Sequence, residues 1–563
     1  MTRQGLVGSR LRSLFSNLAI YGAGDVATSL VSLLLLPVYT RFLTPVDYGI
    51  IAMLLTIEAL AKIVFRWGVD TAFLRLYYDC PDDATRQKLA STILFFLLAA
   101  NGSLVLLGVA CAGWFSTLLF GTGEHGVLIT LVLVNTFVGA FYFIPFQVLR
   151  IRERSGEFIA LVFSRTASTL VLRLVFVIGA GLGVAGLVWA DIVVTAVFTP
   201  ILGYRVRGLL RPVFSRDFLR GALAYGLPRI PHSVAGQVIG FADRYFLNAF
   251  GSLRDVGLFS IGASFGLAPK LFLSALQTAW TPFFLSLMHE PDARRMYSAI
   301  STYLFAMPVL LVAVLSAAAP DLVRLTTTAE FHDAAAVTPW IALGVLCQGI
   351  NLIGSIGLVI TKRTALYPIA TGSAAAVSLA ANALLVPRHG AMGAAWANAI
   401  ANAALAGITV VFSWHVYPIR YEWGRLVRIG AAGIAAYGAG AWLAPATGPL
   451  AGVFVRSALA TGAYGALLLV TGFFKPGEIR MLRDLRERAL GRRQGATPGA
   501  KEDRSVEMAG EILSGGPELP DDESAGSTHG AGAGGTGPGE EPAAVPPAPG
   551  QRTRTGLHGR IGQ

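Results

Sequence analysis

The 563-residue chain is 54% hydrophobic but only 14% charged, with a formal net charge of +12. An ordinary soluble domain is about 25% charged, so the composition argues against a soluble globular class. The apolar residues instead gather in runs of about 20, the length a helix needs to cross ~30 Å of hydrocarbon.

The first run starts near Leu14, behind Arg3, Arg10 and Arg12, and ends at about Leu36 with no small-residue cleavage site. It reads as a retained helix, not a signal peptide. Further runs follow at 47–68, 89–111, 126–148, 158–180, 184–204, 221–247, 256–284, 298–318, 335–360, 364–386, 391–414, 426–443 and 450–473, fourteen spans in all. Those at 364–386 and 426–443 carry the weakest signal because they are short or rich in small residues. Cys80, Cys111 and Cys347 have no metal spacing and read as small hydrophobes in or beside apolar runs.

Alternate loops differ in charge. One set holds the basic N-terminus, Arg75, Arg86 and Lys88, the RIRER run at 150–154, Arg205, Arg207, Arg211 and Arg216, Arg294 and Arg295, Lys362 and Arg363, Arg420 and Arg425, and the stretch after Lys475. The other set holds only Arg41, Arg254, Arg324 and Arg388. Short cytoplasmic loops accumulate Lys and Arg, so the pattern predicts an even number of helices with both termini cytoplasmic. The positive charge is then topological, and no nucleic-acid partner is implied. Beyond about Gly491 the composition turns to Gly, Pro, Ala, Ser and acidic residues. So few large apolar groups cannot offset the entropy of ordering, and a disordered tail is expected.

An internal repeat is visible. RFLTPVDYGIIAM follows the first run and RYFLNAFGSLRDVGLFS closes the seventh. Each places Phe-Leu, a short turn and Asp-x-Gly before the next helix, so Asp47 and Gly49 correspond to Asp255 and Gly257. Many transporters are built from such repeats, with the substrate between the halves.

At Pro37, Tyr39, Leu43, Tyr48 and Gly49, and at Asp243, Arg244 and Gly257, the sequence resembles the oligosaccharide flippase family. This is the polysaccharide-export branch of the multidrug/oligosaccharidyl-lipid/polysaccharide superfamily. The resemblance is one of layout and runs from about Ser13 to Phe474. It implies an all-α polytopic membrane protein of about fourteen helices, with two six-helix lobes in a V and an extra helix pair. The corresponding segments are a cytoplasmic N-terminus (1–13), a first lobe (14–204), a basic cytoplasmic linker (205–220), a second lobe (221–414), the extra pair (415–474) and a cytoplasmic tail (475–563). It further implies a carrier in the inner (cytoplasmic) membrane, with no cofactor, that flips undecaprenyl-pyrophosphate-linked oligosaccharides by alternating access. Lipid-linked oligosaccharide, membrane lipids and polysaccharide assembly proteins are the implied partners.

Several ionisable residues fall inside predicted spans, where each costs at least a few kcal/mol unless it faces a polar cavity or a partner. They are Asp25, Glu58, Lys62, Arg173, Asp191, Arg229 and Lys270, with Arg66 and Arg165 nearer the cytoplasmic side. Glu58, Lys62 and Arg66 step by four and share a helical face. That stripe reads either as a structural ion pair with a snorkelling arginine or as part of a basic wall. Lys62, Arg66, Arg173, Arg229 and Lys270 are the candidate substrate-binding cations, their donors suited to phosphate oxygens. Asp25, Glu58 and Asp191 either couple a cation or balance the arginines. Pro228 and Pro231 should bend the seventh span beside Arg229. Asp243 and Arg244 read as a lock between lobes or an end-of-helix anchor, and His232 as a satisfied packing residue.

Enzyme signals are weak. GLGVAG at 181–186 has the spacing of a dinucleotide loop but lies between two apolar runs with no preceding strand, so it reads as a tight turn. No H-E-x-x-H, G-x-S-x-G or Walker A pattern occurs. Two other readings stay open: a cation-coupled drug or metabolite antiporter of the same superfamily, and a membrane polymerase or ligase. The latter needs a large external catalytic loop, and the longest expected here, about 319–334, is short.

Overall fold

The computed structural model describes residues 35–444 and 448–474, all helices, turns and loops. The predicted first span with its Asp25, apart from its last two residues, and the segment from Lys475 onward lie outside the described residues. Among the described residues, nine helical stretches are long and apolar enough to cross a membrane: Pro45–Asp79, Asp83–Ala110, Gly126–Ile151, Ser155–Gly179, Gly183–Leu209, Ala293–Thr326, Thr338–Ile360, Leu366–Val416 and Pro449–Val470. A tenth is obtained if Leu253–Gly266 and Lys270–Ser286, bent by 48° at a short break, form one span. The chain is a polytopic all-α membrane protein.

The predicted spans map onto these helices with three differences. Residues 364–386 and 391–414 form one helical run, Leu366–Val416, broken at Gly390, whose φ of 54° and ψ of −131° are non-helical. Straight, 51 residues would extend about 76 Å, more than twice the hydrocarbon thickness. A Cβ at Gly393 would instead collide with the Leu385 carbonyl, so the chain doubles back there. The predicted span 221–247 is divided into Arg216–Gly226, a 3-10 turn Leu227–Arg229 and Ile230–Phe250. His232, Ser233, Gln237, Asp243 and Arg244 leave it less apolar than the nine stretches above. The helix Trp423–Trp442 likewise falls short, because Arg425 and Arg428 sit among Gly and Ala.

Four helices position the site, and we label them in chain order: α1 (Pro45–Arg66), α2 (Val69–Asp79), α3 (Ile230–Phe250) and α4 (Leu253–Gly266). Helices α1 and α4 begin identically. Thr44 caps α1 and Ser252 caps α4, and in each the carboxylate of the third residue, Asp47 or Asp255, accepts a hydrogen bond from the cap's backbone N–H at 2.9 or 3.0 Å. This reciprocal capping satisfies two of the free amides of a helix start, and it explains why the repeat keeps its Asp. The glycine two residues on lets the two starts cross. A Cβ at Gly49 would strike the Leu253 carbonyl, and one at Gly257 the Pro45 carbonyl.

At its other end α1 stops at Trp67 and Gly68, both left-handed, with φ of 49° and 68°. The Trp67 indole N–H donates to the Asn101 Oδ1 at 2.9 Å, and the Asn101 amide donates to the Phe65 carbonyl at 2.7 Å. Asn101 thus fixes a conformation that costs a non-glycine residue of order 1–3 kcal/mol. Gly68 lies on the backbone of Gly226, where a Cβ on either residue would clash.

In lipid there is no hydrophobic drive between helices, and close packing of small residues takes its place. Ala52, Ala263, Ala394 and Ala395 are buried where α1 and α4 meet the 366–416 hairpin. Ala313, Ala317, Ala432, Ala436 and Ala460 join the last two helices, Trp423–Trp442 and Pro449–Val470, to Ala293–Thr326. That last pair is held at both ends. Arg425 donates to the Tyr303 hydroxyl at 2.7 Å and covers the Phe473 ring, and Arg456 donates to the buried Asp321 at 2.7 Å.

Candidate functional site

Helices α1 and α3 run antiparallel, since Gly68 meets Gly226 at one end while Ala52 and Met53 share a packed cluster with Leu247 near the other. Between them lies a cavity of about 610 Å³, within the ~300–1,000 Å³ range of small-molecule sites. Its walls are two stripes with a period of four. Glu58, Lys62, Arg66 and Asp70 continue along α1 and into α2, and Arg229, Ser233, Gln237 and Phe241 descend α3.

The charges are unevenly matched. The Lys62 Nζ lies 2.6 Å from Glu58, and Arg66 lies 3.7 Å from Asp70 across the break at Trp67. Both cations remain about half exposed, at 52% and 46%, so pairing leaves their outer faces free to meet an anion. Arg229 lines the same cavity and has no carboxylate partner among the described residues. Three cations against two carboxylates give this part of the cavity an excess positive charge. Pro228 within the 3-10 turn and Pro231 in the first turn of α3 explain its placement. They turn the helix into a short 3-10 segment, Leu227–Arg229, at the point where Arg229 enters the cavity.

The other candidate residues lie elsewhere. Arg173 grips Asp191 through two hydrogen bonds, Nε to Oδ1 at 3.0 Å and Nη2 to Oδ2 at 2.7 Å. It does not line the cavity, and neither does Lys270, which is exposed at the first turn of Lys270–Ser286. Asp243 is buried and takes a hydrogen bond from the Asn398 amide at 3.2 Å, while the Arg244 guanidinium lies 3.3 Å from it and covers Phe241 and Phe259. Asn398 in turn accepts from Asn402, which accepts from Gln348. All these partners fall between positions 241 and 402, inside the segment expected as the second lobe (221–414). Arg165 covers the Tyr142 ring, and the Nδ1 of His232 is buried without a hydrogen-bond partner among the described residues, so His232 is not the satisfied packing residue expected.

Sequence reasoning missed Asp70, Ser233, Gln237 and Phe241. The signal was available as the next steps of four from Arg66 and Arg229, but Asp70 falls beyond the break at Trp67 and Gly68, where helical spacing no longer predicts a shared face, and uncharged residues at that spacing occur on most helices. Among the described residues no cluster of His, Cys, Asp or Glu is placed to hold a metal ion.

Comparison with known proteins is consistent with this architecture. Residues 38–336, more than half of the chain, match the family described as polysaccharide biosynthesis protein. The fold is similar to that of the lipid II flippase MurJ in an inward closed conformation (TM-score 0.62, 14% identity, covering 82% of this chain and 97% of that one). It is also similar to a multidrug resistance MATE family transporter of the MOP superfamily, inward-facing (0.54, 15%, 72% and 95%) and outward-facing (0.51, 15%, 74% and 96%). At these identities the likeness is one of fold. No curated protein sequence matches the chain.

Proposed function

The chain belongs to the polysaccharide biosynthesis protein family and has the fold of MOP superfamily transporters, and from this premise we propose that it flips a polyprenyl-pyrophosphate-linked oligosaccharide across the cytoplasmic membrane by alternating access, for cell-surface polysaccharide assembly. The observation that carries this reading is Arg229, a cavity cation without a carboxylate partner among the described residues, beside Lys62 and Arg66. A hydrogen bond to a charged group contributes about 1.5–3 kcal/mol, so a few contacts from these three side chains hold a pyrophosphate firmly yet reversibly. The similarity to the lipid II flippase supports a lipid-linked cargo.

In this reading the chain acts as a carrier, not an enzyme, and its two halves form lobes that rock about the cavity. The alternating basic loops put both termini in the cytoplasm. The crossing of Gly49 and Gly257 then closes the external end, and the contact of Gly68 with Gly226 borders the cytoplasmic end. Separation of one contact at a time exposes the cations to one leaflet and then to the other. Arg173 with Asp191, and Lys270, serve the lobes or the path to the cavity.

The test is glycan export in cells carrying Arg229→Ala. Loss of export at normal membrane protein level supports the reading, and normal export overturns it. The cavity carboxylates Glu58 and Asp70 favour a second reading, a cation-coupled antiporter for organic cations. That reading predicts drug or metabolite efflux that survives Arg229→Ala and fails with Glu58→Gln or Asp70→Asn.

A further inference from the structure

Beyond the cations, the α3 face changes character in steps of four residues. From Arg229 it passes to Ser233, Gln237 and Phe241, about 18 Å along the helix. Ser233 is exposed and Gln237 half-buried, and neither side chain makes a hydrogen bond with a described residue. Phe241 is covered on one side by Arg244, 5.1 Å from its centroid, and Arg244 is itself fixed by the buried Asp243. The ring is thereby held while it lines the cavity, as Leu55 also does. The side of the cavity next to the cations thus offers neutral donors and acceptors, followed by an aromatic surface.

We propose that Ser233, Gln237 and Phe241 bind the first sugar of the glycan, the one joined to the pyrophosphate, and that this sugar is neutral. The proposal rests on the pyrophosphate reading and assigns the neighbouring subsite. A hexose presents hydroxyls around its edge and C–H groups on its faces. The serine hydroxyl and the glutamine amide both donate and accept, and the phenyl ring offers an apolar surface. By the antiparallel course of the helices, Glu58 stands on the opposite wall near the level of Gln237. A carboxylated sugar there would face a like charge, and the nearest cation, Lys62, is in this reading taken up by the pyrophosphate. A volume of about 610 Å³ suits a pyrophosphate with a few sugars, not a finished polymer.

Binding to the purified full-length protein in nanodiscs tests this with three probes: undecaprenyl pyrophosphate, the same lipid carrying one neutral hexose, and the same lipid carrying one hexuronic acid. The wild type is expected to bind the hexose lipid more tightly than the bare lipid, and the uronic acid lipid less tightly than the hexose lipid. Gln237→Leu, and separately the near-isosteric Ser233→Ala, should each reduce the preference for the hexose lipid over the bare lipid by about three- to ten-fold, the loss of one hydrogen bond. Equal binding of bare and hexose lipids, an equal loss for both in the variants, or uronic acid binding as tight as hexose binding overturns the sugar subsite and leaves the pyrophosphate reading intact. Failure of the wild type to bind any of the three overturns that reading and the subsite with it.

Discussion

Gly49 and Gly257 stand in reciprocal contact: each lies against the backbone that opens the other's helix, Gly49 on Leu253 and Gly257 on Pro45. The repeat aligns these same positions, with Asp47 and Asp255 as the matching caps. The contact is therefore self-complementary, like a two-fold interface between subunits, but made within one chain. A side chain at either position enters the opposite carbonyl.

Gly257→Ala should push this crossing apart. Overpacking costs about 1–3 kcal/mol, enough to shift a two-state balance between roughly five- and 150-fold. Spin labels at the exposed Val46 and Arg254 should report a larger population of long distances in the variant, and Gly49→Ala should act the same way. An unchanged distance distribution would show that the crossing does not open.

Arg229→Lys separates charge from shape. Lysine keeps the charge but lacks the planar fork that grips two phosphate oxygens. Partial export indicates attraction by charge, and complete loss indicates bidentate geometry. Membrane protein level should stay near wild type, because no ion pair with a described residue is broken.

Arg173→Ala should behave differently. It strands Asp191, whose two hydrogen bonds come from Arg173, and half-burial puts the cost at about 1–3 kcal/mol. Thermal stability of the detergent-solubilised protein should fall, and Arg173→Ala with Asp191→Asn should recover part of the loss. If the double variant is no more stable than the single one, the pair is not what holds these helices together.

Asp243→Ala removes the acceptor of Asn398 and the partner of Arg244 from a buried position. A loss of about 3–5 kcal/mol is expected, seen as a lower midpoint of thermal aggregation. Asp243→Asn keeps an acceptor and should lose less. Equal stability of both variants with the wild type would deny this network a structural role.

Cysteines introduced at Gly123 and Ser155 test the sidedness inferred from the basic loops. A membrane-impermeant maleimide added outside should label Gly123→Cys and spare Ser155→Cys. The reverse result inverts the topology.

Much of this molecule is written in local sequence. Runs of about 20 apolar residues set the helical membrane class, and steps of four put Glu58, Lys62 and Arg66 on one face before any coordinates are known. The repeat marked Asp47 with Asp255 and Gly49 with Gly257, because capping and close approach each demand a particular residue. Which faces meet was decided only by the tertiary structure. Arg173 finds Asp191 eighteen positions away on another helix, and Asp243 finds Asn398 across 155 positions. Arg229 joins Lys62 and Arg66, while Lys270, another basic residue in an apolar run, stays outside the cavity. The physical reason is that lipid rewards every apolar face alike. Helices choose neighbours by the fit of small residues and by the need of each buried polar group for a partner, and both depend on residues far apart in the chain.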